Sequence, residues 1–213
     1  MMPVDMVQSD MRDFLADSEY IDWKHPLIMA KAVTLSEGVS GDEAVARRCF
    51  EFVRDAIKHS WDYRLNPTTC KASDVLLHGT GFCYAKSHLL AALLRANRIP
   101  AGLCYQRLAV ESEGPPYCLH GLNAVYLQQY GWYRIDARGN KPGVIAKFTP
   151  PVEQLAFVPG TGEEQDIPGI WAVPLPKIIQ TLTQFETITQ VAENLPDIED
   201  TEIQTVINWN GLN

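Results

Sequence analysis

Among the side chains able to do covalent chemistry, Cys83 stands out by its position. It follows the turn Gly79-Thr80-Gly81 and opens the segment FCYAKSHLLAALLRAN, residues 82–97, which reads as a helix. The unpaired N–H groups and positive dipole end of a helix start stabilise a negatively charged sulfur. Lys86, one turn on, adds positive potential. A buried structural cysteine is the competing reading. His120 begins a predicted strand after a loop containing Gly114-Pro115-Pro116, and Asp136 closes the next strand. The two are equidistant from Gln128, where a turn is predicted, so both fall near the same open end of a hairpin. A thiol on a helix start, an imidazole and a carboxylate that orients it are the parts of a nucleophilic acyl-transfer site. Taken singly, His120 also reads as a loop or core histidine and Asp136 as a turn former.

The elements that must position these groups follow from periodicity. Residues 26–36 form a short helix opened by Pro26. Residues 42–59 form a stronger one, with Ala46, Cys49, Phe50, Val53 and Ile57 on one face and Lys58 and His59 at its C-terminal dipole. Residues 61–71 read as a loop. The helix over 82–97 is apolar nearly all round, which predicts a central, buried position. The period then changes: residues 100–110, 119–128 and 132–136 read as strands, the last two joined by a turn at 128–131. Prolines at 142, 150, 151, 159, 168, 174 and 176 predict irregular chain over 141–176, with short strands at most. Residues 176–193 offer a last amphipathic helix. Helices first and an antiparallel sheet second make an α+β fold.

Three separated blocks resemble the transglutaminase-like superfamily of bacterial type, with its papain-like core. They are Gly81-Phe82-Cys83 running into the leucine-rich helix, Leu94 to Ala101 with Ile99-Pro100-Ala101 at the helix end, and His120 followed by Gly131-Trp132-Tyr133-Arg134-Ile135-Asp136. The resemblance spans residues 79–143 and departs from the family at Arg98, where a glycine is usual. It implies N-terminal helices and a central catalytic helix packed on an antiparallel sheet. It also implies a Cys83–His120–Asp136 triad acting on a peptide or protein amide through a thioester. For the oxyanion, the Cys83 N–H is one donor. The glutamine that papain-type proteases place before the cysteine is missing from Leu76-Leu77-His78-Gly79. Related folds use an upstream aromatic, which makes Trp61 and Tyr63 candidates. Gln106 and Arg138 are candidate substrate contacts, with a solvated sheet face and a plain turn as the alternatives. His88 is off the Cys83 face and reads as a packed or solvated histidine.

Hydrolysis is the expected outcome. Transfer to an amine requires exclusion of water by bulky walls, and Thr80, Gly81, Tyr84 and Gly121 supply one aromatic. Amine transfer is the alternative, and a catalytically silent peptide-binding module is the alternative from another class. No calcium loop of alternating carboxylates occurs, and Cys118 and His120 lack the paired spacing of structural zinc, so no metal or cofactor is expected.

Composition sets the remaining bounds. At 213 residues the chain can bury a core without disulfides, and 46% hydrophobic against 21% charged residues excludes a disordered chain. The net charge is −8, but six acids lie beyond Lys177, the last cation, which leaves residues 1–177 at −2. The expected organisation is one domain over 1–193 and an acidic tail over 194–213. Without a basic cluster, nucleic acid is not an expected partner. Without a long apolar run, neither is a membrane. An odd count of five cysteines, no CxxC pair and an acidic N-terminus lead to an expectation of a cytoplasmic location.

Overall fold

The computed structural model describes residues 10–111, 114–160, 162–199 and 202. The chain folds as α+β. A 3-10 turn at Asp13–Leu15 leads into α1 (Pro26–Ser36) and α2 (Asp42–Ala56), then the short β1 (Lys58–His59) and α3 (Ser60–Tyr63). Next come α4 (Ala72–His78), the short β2 (Thr80–Gly81) and α5 (Cys83–Ala96). Strands β3 (Ala101–Ala109), β4 (Tyr117–Leu127), β5 (Gly131–Ile135) and β6 (Gln165–Trp171) follow, then α6 (Pro176–Gln184) and α7 (Ile188–Glu193).

The four later strands form one antiparallel sheet in the order β5-β4-β3-β6, while β1 and β2 pair in parallel as a separate two-residue ladder. Helix α5 is the hub. Its residues from Cys83 to Arg95 are all buried, and it touches α1, α2 and α4 as well as β3 and β4. Polar side chains on so buried a helix need partners. Ser87 Oγ donates to the Cys83 carbonyl at 2.9 Å, and His88 Nδ1 lies 2.8 Å from the Cys70 carbonyl. The Arg95 guanidinium gathers three carbonyls, Ala101 at 2.8 and 3.0 Å, Ala172 at 2.7 Å and Ala16 at 2.8 Å. It thereby ties the N-terminal segment, the start of β3 and the end of β6 to one helix end. Burial pulls its pKa down to about 10, which leaves it charged.

Four elements differ from the periodicity reading. Helix α2 stops at Ala56, and Lys58 and His59 become strand, because β2 offers them a ladder: Lys58 N donates to the Gly79 carbonyl at 2.9 Å. The expected loop over 61–71 begins inside α3. The proline-rich stretch contains a seven-residue strand, β6. It tolerates Pro168 because it is an edge strand, paired only with β3, and its register shifts between Leu103 and Tyr105. The last helix breaks at Phe185 into α6 and α7, and α7 restarts with a capping box between Thr187 and Gln190.

Replacing Arg95 by methionine fills much of the same volume but leaves the Ala16, Ala101 and Ala172 carbonyls without their donor. We expect a loss of about 2–4 kcal/mol in stability, read as a lower urea midpoint at unchanged m-value.

Candidate active site

Cys83 is the first residue of α5, so its N–H has no intrahelical partner, and no side chain caps the helix start. The turn before it is held by buried hydroxyls. Thr80 Oγ1 donates to the Lys58 carbonyl at 3.1 Å, Ser60 Oγ lies 3.1 Å from Thr80 Oγ1, and Thr69 Oγ1 donates to the Thr80 carbonyl at 3.0 Å. Gly79, in the left-handed region at φ 64°, ends α4 and starts that turn.

The β4–β5 register sets Asn123 opposite Ile135. Extended by one residue, it puts position 122 opposite Asp136, so His120 and Asp136 are diagonal neighbours of like alternation. Their side chains meet: His120 Nε2 lies 2.7 Å from Asp136 Oδ2. The carboxylate also accepts from Arg138 N at 3.0 Å and Ala156 N at 3.2 Å. The Cys83 thiol lines the same cleft as the His120 ring, and its negative charge favours the charged imidazole. Burial opposes charging the imidazole, but Asp136 and Cys83 outweigh it and push the ring up to about 10. Burial alone would raise Asp136, yet His120 and the two backbone donors hold it below its ordinary value. At neutral pH the pair is an imidazolium beside a carboxylate. Phe157 closes one side, its ring 4.9 Å from the imidazole in an edge contact.

One glycine allows this meeting. A Cβ on Gly121 would stand 3.1 Å from the Tyr84 Cα and 3.3 Å from its N, backbone atoms that cannot rotate away. Strand β4 thus passes in contact with the first turn of α5, one residue from His120 on the strand and one residue from Cys83 on the helix. The Tyr84 hydroxyl reinforces it by donating to the Leu119 carbonyl.

Cys83 and His120 border a cleft of about 490 Å³, with Asp136 buried behind them. Its walls divide by character. Leu108, Val110, Cys118 and Leu119 belong to the strand side, joined by Ala192 and Leu195, whereas His59, Asp62, Arg138 and Lys141 form a polar side. Residues just past α7 reach both strands of that side: Leu119 N in β4 donates to the Pro196 carbonyl at 2.7 Å, and Asp197 pairs with Arg107 in β3 through both oxygens at 2.7 and 2.8 Å. Of the acidic tail expected over 194–213, residues 200, 201 and 203–213 lie outside the described residues.

The other sequence candidates separate. Trp61 is half-buried, lines the cleft and stacks under the Arg64 guanidinium. Tyr63 is 54% exposed, carries the Lys58 ammonium over its ring and borders a neighbouring cavity instead. Gln106 is fully buried and lies off the cleft, its amide donating to Asp166 at 2.8 Å. Arg138 lines the cleft and grips both oxygens of Asp62, at 2.6 and 3.1 Å. Lys86 turns inward to donate to the Ile57 carbonyl, and burial pulls it down to about 7. His88 is packed and neutral, pulled down to about 4 by burial.

A second cleft histidine escaped the sequence reading, which spent His59 on the dipole of α2. The β1–β2 register sets His59 opposite Gly81, and its ring meets Phe82 edge-on at 5.6 Å. Burial, with Arg138 adding to it, lowers its pKa well below the ordinary value. The ring is therefore neutral, and the 3.6 Å from its Nδ1 to Asp62 Oδ2 is neither an ion pair nor a hydrogen bond.

The sequence pattern of the Transglutaminase-like superfamily matches residues 30–137, half of the chain. This protein belongs to that superfamily. Among solved structures it is similar to a proposed cysteine protease from Cytophaga hutchinsonii (20% identity, TM-score 0.49, covering 65% of this chain and 45% of that one). It is also similar to the periplasmic domain of TgpA from Pseudomonas aeruginosa (20% identity, TM-score 0.45, covering 61% and 48%). The chain thus spans under half the length of these structures. No curated protein matches the sequence. The superfamily placement associates the chain with cysteine-protease and transglutaminase folds. The expectation of a cytoplasmic location is corrected: the TgpA domains it resembles are periplasmic. Among the described residues no helix is long and apolar enough to cross a membrane, and no cluster of His, Cys, Asp or Glu is placed to hold a metal ion.

Two measurements probe this arrangement. Gly121→Ala forces β4 off the first turn of α5, so modification of Cys83 by iodoacetamide should lose its dependence on His120 while the fold persists. The pH dependence of stability tests the buried cations. Lys86 has a folded pKa of about 7 against an ordinary 10.5, so the unfolded chain binds more protons in between, and this group's contribution improves as pH rises. His120 has the opposite sign from 6.5 to about 10. Lys86→Met removes the first slope only, so its urea midpoint should fall more steeply than the parent's between pH 7 and 10.

Proposed function

We propose that the protein is a thiol-dependent acyl-transfer enzyme that hydrolyses an amide, peptide or isopeptide bond through a thioester on Cys83. The observation that carries this reading is the buried His120–Asp136 pair facing a cysteine at an uncapped helix start. The sulfur attacks the substrate carbonyl, and the oxyanion meets the Cys83 N–H at the end of α5. Trp61, in the cleft wall, is the proposed side-chain donor. The His120 imidazolium gives its proton to the leaving amine, then as neutral base takes one from the water that cleaves the thioester. Asp136, fixed by two backbone donors, holds the ring by Nε2 and leaves the opposite nitrogen for sulfur and substrate. The cleft opens to solvent and water is abundant, so hydrolysis prevails unless an amine is specifically bound.

Iodoacetamide should label Cys83 ahead of Cys49, Cys70, Cys104 and Cys118, all of which burial pushes up to about 12. Equal labelling of Cys118, which shares the cleft, would overturn the assignment. With an activated acyl substrate, Cys83→Ala should abolish turnover, and Asp136→Asn should lower it about 10⁴-fold with the fold retained. Turnover should decline as pH rises through about 10, where His120 loses its proton. Dominant amide product at millimolar primary amine would show transfer rather than hydrolysis.

A further inference from the structure

Beside the cleft lies a second cavity of about 460 Å³, lined by Arg54, Asp55, Lys58, Tyr63 and Asn140 among others. The two cavities share His59, Asp62 and Lys141 as a common wall. This junction carries the reverse of the chain's overall charge. Arg54, Lys58, Arg138 and Lys141 converge there against only Asp55 and Asp62, in a protein whose net charge is −8.

The pairing shows which positive charge is left over. Arg54 is spent on Asp55, at 2.7 Å through both nitrogens. Arg138 takes both oxygens of Asp62, and Lys141 adds a third bond to the same carboxylate at 2.8 Å. Burial would raise Asp62, but these two donors hold it down at about 2, so it stays a single negative charge shared by two cations. Lys58 pairs with no carboxylate among the described residues; its ammonium rests 4.8 Å over the Tyr63 ring. His59, neutral, cancels nothing. Glu111 and Glu164 line the cleft as well. Neither borders the second cavity, whose own lining of Arg54, Lys58 and Lys141 against Asp55 and Asp62 leaves an excess of one positive charge at the α3 end.

We infer that the second cavity is a subsite for a carboxylate on the substrate, held by the ammonium groups of Lys58 and Lys141. The inference rests on the acyl-transfer reading of the cleft for its functional meaning. Two ammonium donors with one shared counter-charge match a single negative charge, and charge-assisted bonds of this kind select carboxylate over carboxamide. A carboxylate so held lies beside the wall formed by His59, Asp62 and Lys141, on the polar side of Cys83. The substrate class is therefore an acidic acyl compound, such as a peptide with a nearby α-carboxylate or an Asp or Glu side chain.

The test is equilibrium binding, which does not depend on the thiol. The Cys83→Ala protein is titrated, with NMR detection, with three peptides of similar size. They are acetyl-alanyl-glycine with a free α-carboxylate, the C-terminal amide of acetyl-alanyl-glutamate with only a side-chain carboxylate, and neutral acetyl-alanyl-glycinamide. At least one acid should bind about five- to tenfold tighter than the neutral peptide, and which one tells the source of the carboxylate. The advantage should vanish when Lys58→Met and Lys141→Met are combined. Equal affinity for all three peptides, or an advantage that survives both substitutions, overturns the subsite. Iodoacetamide labelling of the unsubstituted protein runs in parallel. An unreactive Cys83 with acid-selective binding intact would overturn the acyl-transfer reading and leave the carboxylate subsite standing.

Discussion

The structure turns on the contact between the first turn of α5 and strand β4 at Gly121. The helix brings Cys83 and the sheet brings His120, and the two layers meet closely only because position 121 has no side chain. A Cβ there would press on the backbone of Tyr84, so the separation of helix and sheet is set by main chain against main chain. Such contacts do not relax as side chains do. The bond from Tyr84 to the Leu119 carbonyl and that from the Asn123 amide to the Ser87 carbonyl at 2.9 Å stitch the same seam on either side.

Around that seam the electrostatics form a connected chain. Asp136 accepts from His120 on one side and from the Arg138 backbone on the other. The Arg138 side chain then runs along the polar wall to Asp62, which also holds Lys141. Lys86 lies under this chain, fully buried, and donates to the Ile57 carbonyl. Charges so placed set one another's protonation. Arg138 helps depress both Lys86 and His59, while Asp136 and Cys83 lift His120. Two histidines in one cleft are thus driven to opposite states, His120 charged and His59 neutral, by what faces each of them. Groups driven apart in this way are suited to different tasks at one pH.

The cleft is asymmetric because its walls come from different parts of the chain. The apolar side is the β3–β4 hairpin together with residues after α7, the polar side is α3 and the chain following β5. An acyl substrate crossing Cys83 meets both, so the walls can orient it before any chemistry begins.

The sequence by itself determined the elements and the identities of the meeting residues. The all-round apolar run after Cys83 required a buried helix, the alternation after Pro100 favoured strands, and the turn at 128–131 put His120 and Asp136 near the same open end of a hairpin. Each of these signals is local, since it depends on backbone period and turn chemistry within a few residues. The tertiary structure alone decided the rest. His59 reads as the tail of α2 until β2 pairs with it, and Pro168 forbids a strand until β6 proves to be an edge. Lys86 sits one turn from Cys83 in the sequence, yet its ammonium turns to the Ile57 carbonyl because burial leaves it that acceptor. The excess of positive charge beside the cleft joins residues from α2, β1 and the chain after β5, scattered through an acidic sequence. Burial, ladder partners and the convergence of distant charges are properties of three-dimensional neighbours, which no period or spacing along the chain encodes.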